Sequence, residues 1–160
     1  MFWLNARLYV SVAVLASVGA TASGAQGGGD TAFKSMQSRG RMAMGVDQYT
    51  STHRFADLPD GGRIELQRNR PDSVGVQAIR EHLRAIAEAF AKGDFAAPAL
   101  VHAGQVPGAH TMAEKHRAIR YEYRPLPLGG EVRITTGDAE ALQAIHTFLE
   151  FQRQEHRAGP

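Results

Sequence analysis

Histidine supplies most of the side chains in this 160-residue sequence that could do chemistry. The chain has seven histidines and no cysteine, which excludes thiolate catalysis, thiolate metal sites and a disulfide framework. Any metal ion would have to be held by histidine, methionine, carboxylate or backbone oxygen atoms. The candidate metal ligands, for copper or zinc, are His53, His82, His102 and His146.

The spacing of the histidines does not by itself identify a metal site. There is no His-Glu-x-x-His motif, and the pair Glu81-His82 is adjacent in sequence, so a helix would point its two side chains in different directions. A histidine on the flank of an apolar stripe is usually a core residue with a hydrogen-bond partner. His156 is expected to act as a cation near a helix end.

Methionine offers a second possible set of metal ligands. Met36, Met42 and Met44 precede His53, and thioether with imidazole suits copper. Methionine also fills gaps in amphipathic helices, and the sequence favours that ordinary interpretation here.

No nucleophilic catalyst can be nominated from the sequence. None of the serines near the first repeat lies in a Gly-x-Ser-x-Gly turn, and the glycine pairs lie in predicted hairpin turns instead of at strand-to-helix junctions that could bind phosphate. The serines considered are Ser35, Ser38, Ser51 and Ser73.

The elements that must position these residues come from an internal repeat. Leu58-Pro59-Asp60-Gly61-Gly62 returns 68 residues later as Leu126-Pro127-Leu128-Gly129-Gly130, and Gln77-Ala78-Ile79 returns 66 residues later as Gln143-Ala144-Ile145. A repeat of this length indicates a duplicated structural unit.

Each copy has the pattern strand, tight turn, strand, helix. Proline followed by glycine predicts the turn, alternating apolar residues predict the return strand, and apolar residues at three- and four-residue steps predict the helix. The sequence therefore predicts an α+β fold with a four-stranded antiparallel sheet, two helices on one face and a short N-terminal helix. The predicted strands are 52–58, 63–67, 118–124 and 131–136, and the predicted helices are 31–44, 74–92 and 139–157.

The predicted domain organisation begins with an export signal over residues 1–25. Arg7 precedes the apolar run 8–18, and small residues lead to a cleavage site after Ala25. A flexible spacer and the N-terminal helix follow over 26–51. A single domain then covers 52–160, with repeats at 52–93 and 118–157 joined by a long loop that carries His102 and could form a helical turn over 111–117.

The signal predicts a periplasmic or secreted protein. Its apolar run is short for a bilayer span, which needs about 20 residues, so no membrane contact is expected after cleavage; a retained anchor is the alternative. The formal charge of +2 includes Arg7, so the exported chain is near neutral and has no electrostatic basis for binding nucleic acid.

The repeat also predicts which way the first strand faces. Ile119, Tyr121 and Tyr123 alternate along a strand, and their apolar bulk marks the helix-facing side. The 68-residue offset places His53 at the position of Tyr121, so His53 is predicted to point under the helices. Of the other three candidate ligands, His82 and His146 lie beside the apolar stripes of the two predicted helices, and His102 lies in a loop that could close over the same region.

Recognisable segments extend over most of the exported part of the chain, and three of them contain His53, His82 and His146. Through these segments the chain resembles a group of small exported bacterial proteins of unknown function. Some similar sequences carry the label aspartate carbamoyltransferase, but this chain is too short for that enzyme and lacks its Ser-Thr-Arg-Thr phosphate-binding signature. The segments are Met36-Gln37-x-Arg39-Gly40, Met44-Gly45-Val46-Asp47-Gln48, Ser51-Thr52-His53-x-Phe55, Asp60-Gly61-Gly62, Ile79-Arg80-x-His82-Leu83, Gly93-Asp94-Phe95, Val106-Pro107-Gly108 and Ala144-Ile145-His146-x-Phe148-Leu149.

Three functional hypotheses follow, and a binding protein is favoured over an enzyme. The first is an exported protein that binds copper or zinc through its histidines. The second is a protein-interaction module that uses the open face of the sheet. The third is an enzyme with a histidine general base. The charged residues of that open face are Arg54, Arg63, Glu65, Glu131 and Arg133.

Overall fold

The computed structural model describes residues 25–46 and 49–160. The signal predicted over residues 1–25 lies outside this part of the chain, apart from Ala25. Within the described ranges, no helix is both long and apolar enough to cross a membrane.

The described part of the chain folds into an α+β structure in which the ββα unit occurs twice, as the sequence predicts. The strands are β1 (Ser51–Leu58), β2 (Gly61–Arg68), β3 (Ile119–Leu126) and β4 (Gly129–Thr136). The helices are α1 (Ala25–Met44), α2 (Ser73–Ala91), α3 (Ala96–His102), α4 (Ala109–Glu114) and α5 (Ala139–His156), with a 3₁₀ turn at His116–Ala118.

The sheet is antiparallel with the strand order β1-β2-β4-β3. The two hairpins therefore meet through their return strands, β2 and β4. Ile64 pairs with Val132, which is its own counterpart one repeat later, so the two copies are related by a local twofold axis through this pair. Helices α2 and α5 pack on one face and bury the core there.

Capping side chains start both long helices where the sequence places them. The Asp72 carboxylate accepts a hydrogen bond from the backbone N–H of Gly75 at the start of α2. The Asp138 carboxylate accepts from Glu140 and Ala141 at the start of α5. Each cap satisfies helix N–H groups that have no partner within the helix.

The predicted strand register is confirmed. Ile119 is buried, and the half-buried rings of Tyr121 and Tyr123 pack against the core. In the first copy His53 and Phe55 are buried on the same face. The period-two alternation of a strand makes this inference reliable, because a shift of one residue would turn every side chain to the opposite face.

The N-terminal helix is longer than predicted. α1 begins at Ala25, so the glycine-rich segment 26–30 is helical and not a flexible spacer. Asp30 forms an ion pair of 3.1 Å with Arg157, whose guanidinium lies 4.1 Å from the centre of the Phe33 ring. These contacts with the residue that follows α5 stabilise the beginning of α1. Local sequence patterns cannot predict them, because the partners are far apart in the chain.

The long connection between the repeats is mostly helical. α3 and α4 occupy much of the segment predicted as a loop. Gly108 begins α4 with a φ of +81° and lies so close to α5 that a Cβ there would be 2.2 Å from the Ala144 carbonyl oxygen. This packing on α5 holds the connection against the core.

The first glycine of each turn pair, Gly61 or Gly129, is explained by the contact between the return strands. A Cβ on Gly61 would lie 2.1 Å from the carbonyl oxygen of Ile134, and one on Gly129 would lie 2.0 Å from that of Leu66. Because both obstacles are backbone atoms, a rotamer change cannot relieve the clash.

We therefore expect Gly129→Ala to lower the free energy of unfolding by about 1–3 kcal/mol, as overpacking typically does, measured by urea denaturation. Gly137→Ala is the matched control, since nothing lies within 4 Å of a Cβ at that exposed position, and its expected effect is within about 0.5 kcal/mol. Equal losses in the two variants would contradict the role of the strand contact.

Candidate functional site: a cavity lined by histidines

A cavity lies between the sheet and four of the helices, with about 80 Å³ open to the centres of water molecules. One water needs roughly 10–15 Å³ on this measure, so the cavity has room for a few waters or a small ligand. In the described part of the chain, no Asp, Glu, Lys or Arg side chain lines it. The polar side chains that line it are Met44, His53, His82, His102, Gln152 and His156.

The remaining walls are apolar. Phe55, Leu66 and Phe148 are among the buried side chains that face the cavity. Phe90 also contributes, and its ring stacks on Phe95 with 4.2 Å between centroids. Such surroundings solvate charge poorly, so every ionisable group at the cavity favours its neutral form.

His53 projects into the cavity from β1. Its Nε2 lies 3.4 Å from the Sδ of Met44, and its ring stacks on His156 with 4.9 Å between centroids. Among the described residues, Nδ1 of His53 has no hydrogen-bond partner. Burial, with a smaller contribution from His82, lowers the pKa of His53 to about 4, so the ring is neutral at pH 7.

His156 is the fourth histidine of the cavity, and the sequence expectation for it was wrong. Instead of acting as a cation at the end of α5, it is buried, and its ring meets that of His102 edge to face with 5.2 Å between centroids. Burial, followed by the proximity of His53 and His102, lowers the pKa of His156 to about 2.

A signal in the sequence could have identified His156. Ile145, Leu149, Gln152 and His156 follow one another at steps of four, three and four residues and are all buried. They form one helical stripe that continues to the last residue of α5. A buried stripe implies a neutral histidine. The expectation of a cation rested only on the preference for positive charge near the C-terminal end of a helix.

His102 is placed by α3 and held by α5. Its Nε2 donates a hydrogen bond of 3.0 Å to the Oε1 of Gln152, which leaves Nδ1 as the atom with the lone pair. Nδ1 lies 3.9 Å from a carboxylate oxygen of Glu155, too far for a hydrogen bond. Burial lowers the pKa of His102, while Gln152 and Glu155 oppose that shift.

His82 joins α2 to the end of α1. It is half-buried and forms a hydrogen bond with the backbone of Ala43, next to Met44. Burial lowers the pKa of His82, and the hydrogen bond opposes the shift. His82 therefore connects the helix that carries Met44 to the rest of the site.

His146 does not line the cavity, so its assignment as a ligand is corrected. Its Nε2 lies 3.0 Å from the carbonyl oxygen of Leu58 and 2.9 Å from that of Gly61, and it donates a shared hydrogen bond to the first hairpin. Gly62 permits this approach, because a Cβ there would lie 2.2 Å from Cδ1 of Leu149. α5 thus sits close to the turn, and this flank of the helix meets the hairpin.

The structure brings His53, His82 and His102 around one cavity and adds Met44 and His156 to them. The rings of His53 and His156 stack with 26° between their planes, and the ring of His102 meets that of His156 edge to face. In the ranges 25–46 and 49–160, no group of three His, Asp or Glu side chains is arranged to hold a metal ion. Metal binding therefore stays a prediction.

Comparisons with known proteins add no assignment: the chain matches no protein-family model, no curated protein and no solved structure.

Proposed function

We propose that this protein is a small exported binding protein whose histidine-lined cavity takes a transition metal ion, copper or zinc. The observation that supports the proposal is the environment of His53, which is buried: within residues 25–46 and 49–160 its Nδ1 has no hydrogen-bond partner, and the Met44 thioether lies beside its Nε2. A buried polar atom left without a partner costs about 1–3 kcal/mol. Such groups in folded proteins usually have a functional reason or an ion as partner.

The protonation state of the cavity supports the same proposal. Imidazole binds a metal through the lone pair of its neutral form, and the depressed pKa values of His53 and His156 keep both rings neutral at pH 7. A metal ion would therefore not have to displace a proton from either ring. The candidate ligands are Met44, His53, His82, His102 and His156, which line the cavity, although no three of the described His, Asp or Glu side chains converge on one point; His146 is not among them.

Calorimetric titration of the purified protein with Cu²⁺, Cu⁺ and Zn²⁺ tests this function. We expect binding of one ion per chain by at least one metal. His53→Leu should lower the affinity for that metal by at least about 100-fold. Loss of a residue that only supports a ligand from the outer shell costs up to about 100-fold, so a loss of this size indicates a direct ligand.

His110→Ala is the matched control, because the His110 side chain is 87% exposed and lies 3.3 Å from Glu114 on its own helix, away from the residues that line the cavity. Its affinity should equal that of the unmodified protein. Unchanged affinity in His53→Leu, or an equal loss in His110→Ala, would exclude the cavity as the site, and the absence of binding by all three ions would refute the function.

A second candidate function uses the sheet face that the helices leave open. Arg63 and Arg124 lie 4.0 and 3.7 Å from the carboxylate of Glu131 across neighbouring strands. At one end of this face a groove contains Arg54, Arg63 and Arg68 together with a single carboxylate, Glu65. Arg68 is paired with Asp72 at 2.9 Å, so a protein partner that presents carboxylates would bind mainly through Arg54 and Arg63.

Thermal denaturation separates the two candidates. A ligand that binds only the folded state raises the melting temperature, and the stabilisation grows with the logarithm of the ligand concentration divided by the dissociation constant. A rise on addition of metal, reversed by a chelator, is expected for the cavity function. A melting temperature that neither metal nor chelator changes would favour the interaction module.

A further inference from the structure

Met44 and His53 bring a thioether sulfur and an imidazole nitrogen together at the cavity. The Sδ of Met44 lies 3.4 Å from the Nε2 of His53. A thioether is a weak hydrogen-bond acceptor, so this contact compensates only part of the desolvation of the imidazole. The partnerless Nδ1 on the opposite side of the ring leaves His53 poorly satisfied in both directions.

The separation of these two atoms fits a shared ion. With metal–nitrogen and metal–sulfur bonds of about 2.0 and 2.3 Å, the two atoms lie roughly 3.5 Å apart at a tetrahedral angle and roughly 4.3 Å apart when collinear. The observed separation is close to the lower figure. Met44 has an unbranched side chain with three rotatable bonds, so rotation of this side chain can widen the sulfur–nitrogen separation from 3.4 Å to the value that a shared ion needs.

The number and kind of ligands distinguish between metals. Structural zinc sites use four ligands in a tetrahedral arrangement, and the described residues offer no trio of His, Asp or Glu side chains that could share an ion. Cu⁺ is stable with two or three ligands, and thioether selects it over harder ions. A pair made of one imidazole and one thioether is therefore suited to Cu⁺.

The charge of the cavity favours the same ion. No carboxylate of the described chain lines the cavity, so an ion bound to Met44 and His53 keeps its full charge in apolar surroundings. The cost of burying an ion rises with the square of its charge, and it is already large for one unit. A monovalent ion is therefore favoured over Zn²⁺ or Cu²⁺.

We propose that Met44 and His53 form a Cu⁺ site, with the ion held between Sδ and Nε2 under the end of α1. The inference rests on the proposed metal-binding function and names its ion. The binding involves no change of oxidation state, because copper enters and leaves as Cu⁺.

The test measures Cu⁺ affinity without oxygen, by competition of the purified protein with a chromophoric Cu⁺ chelator. Met44→Leu removes the sulfur at nearly constant volume, a kind of exchange that cores tolerate, and should lower the affinity at least tenfold. Met42→Leu is the matched control, since Met42 lies two residues away on the same helix and is 76% exposed; its affinity should not change.

A second measurement does not depend on a variant. X-ray absorption at the copper edge of the loaded, unmodified protein should show one sulfur neighbour together with a nitrogen neighbour. An equal affinity in Met44→Leu, or a copper spectrum without sulfur, would overturn the assignment of Met44. Zinc binding that is lost in His53→Leu, without any Cu⁺ binding, would overturn the inference and leave the proposed function intact. If neither copper nor zinc binds, the Cu⁺ site and the proposed metal-binding function are both refuted.

Discussion

Lowering the pH from 7 to 4 is expected to remove on the order of 3 kcal/mol of folding stability through His53 alone. The pKa of this buried histidine is lowered to about 4 in the folded protein, against about 6.5 in the unfolded chain. Between these two values the unfolded chain binds a proton at this position and the folded protein does not.

The sign of the effect follows from proton linkage. Stability rises with pH wherever the unfolded state binds more protons, so the contribution is complete above pH 6.5 and is lost as the pH falls toward 4. His156 acts in the same direction, because burial and its neighbours His53 and His102 lower its pKa further. The pKa values of His82 and His102 are also lowered by burial, so these two histidines act in the same direction.

Urea denaturation at half-unit steps between pH 7.5 and 4.5 measures this dependence. His53→Leu should reduce the slope of the free energy of unfolding against pH by up to about 1.4 kcal/mol per pH unit. His110→Ala is the control, because His110 is exposed, and its slope should equal that of the unmodified protein. Carboxylates held at low pKa, such as Asp60 and Asp138, titrate mainly below this window. A flat profile from pH 7 to 5 would show that the cavity histidines are not held neutral.

Phe90→Ala is expected to lower the free energy of unfolding by about 3–5 kcal/mol, the usual cost of removing a buried aromatic ring. Phe90 is 1% exposed, stacks on Phe95, and meets Tyr121 and Phe148 edge to face with 5.7 and 5.8 Å between centroids. Phe90 also lines the histidine cavity, so removal of its ring enlarges a cavity that already exists.

The matched control is Val74→Ala on the same helix, because Val74 is 79% exposed and its loss should cost within about 0.5 kcal/mol. Urea denaturation of both variants at pH 7 measures the difference. Similar losses at the two positions would mean that the aromatic cluster contributes little to the core.

The neutral histidines connect stability with the proposed function. His53 occupies the strand position of Tyr121 in the other repeat, where an aromatic ring packs against the core. The imidazole at position 53 instead carries a nitrogen that has no hydrogen-bond partner in the described part of the chain, and the protein loses stability through it on acidification. A residue that is costly to the fold but well placed to bind a ligand is expected at a functional site.

The fold was largely predictable from the sequence because two regular periodicities fix it. The period of two in the strands, read through the repeat, oriented His53 and Phe55 correctly. The period of three to four in the helices marked the buried stripe of α2. The helical structure of 96–114 was not predictable in this way, because its short helices are held mainly by packing on the rest of the molecule, as Gly108 shows against α5.

The candidate site was only partly predictable. A histidine on the flank of a helix stripe can meet any neighbour that happens to lie there, and for His146 the neighbour is the Leu58–Gly61 turn. His156 was assigned by its closeness to a helix end, although the stripe of α5 already indicated burial. Met44 is separated from His53 by nine residues of chain, and no periodicity relates the two.

The sequence by itself determined the duplicated ββα architecture, the inward direction of His53 and the absence of thiolate chemistry, because each depends on composition or on spacing along one element. The tertiary structure decided which side chains share the cavity. It removed His146 and added His156 and Met44, because the approach of α5 to a glycine turn and the position of α1 over β1 are set by packing between distant segments. The same packing excludes carboxylates from the cavity and so keeps its histidines neutral.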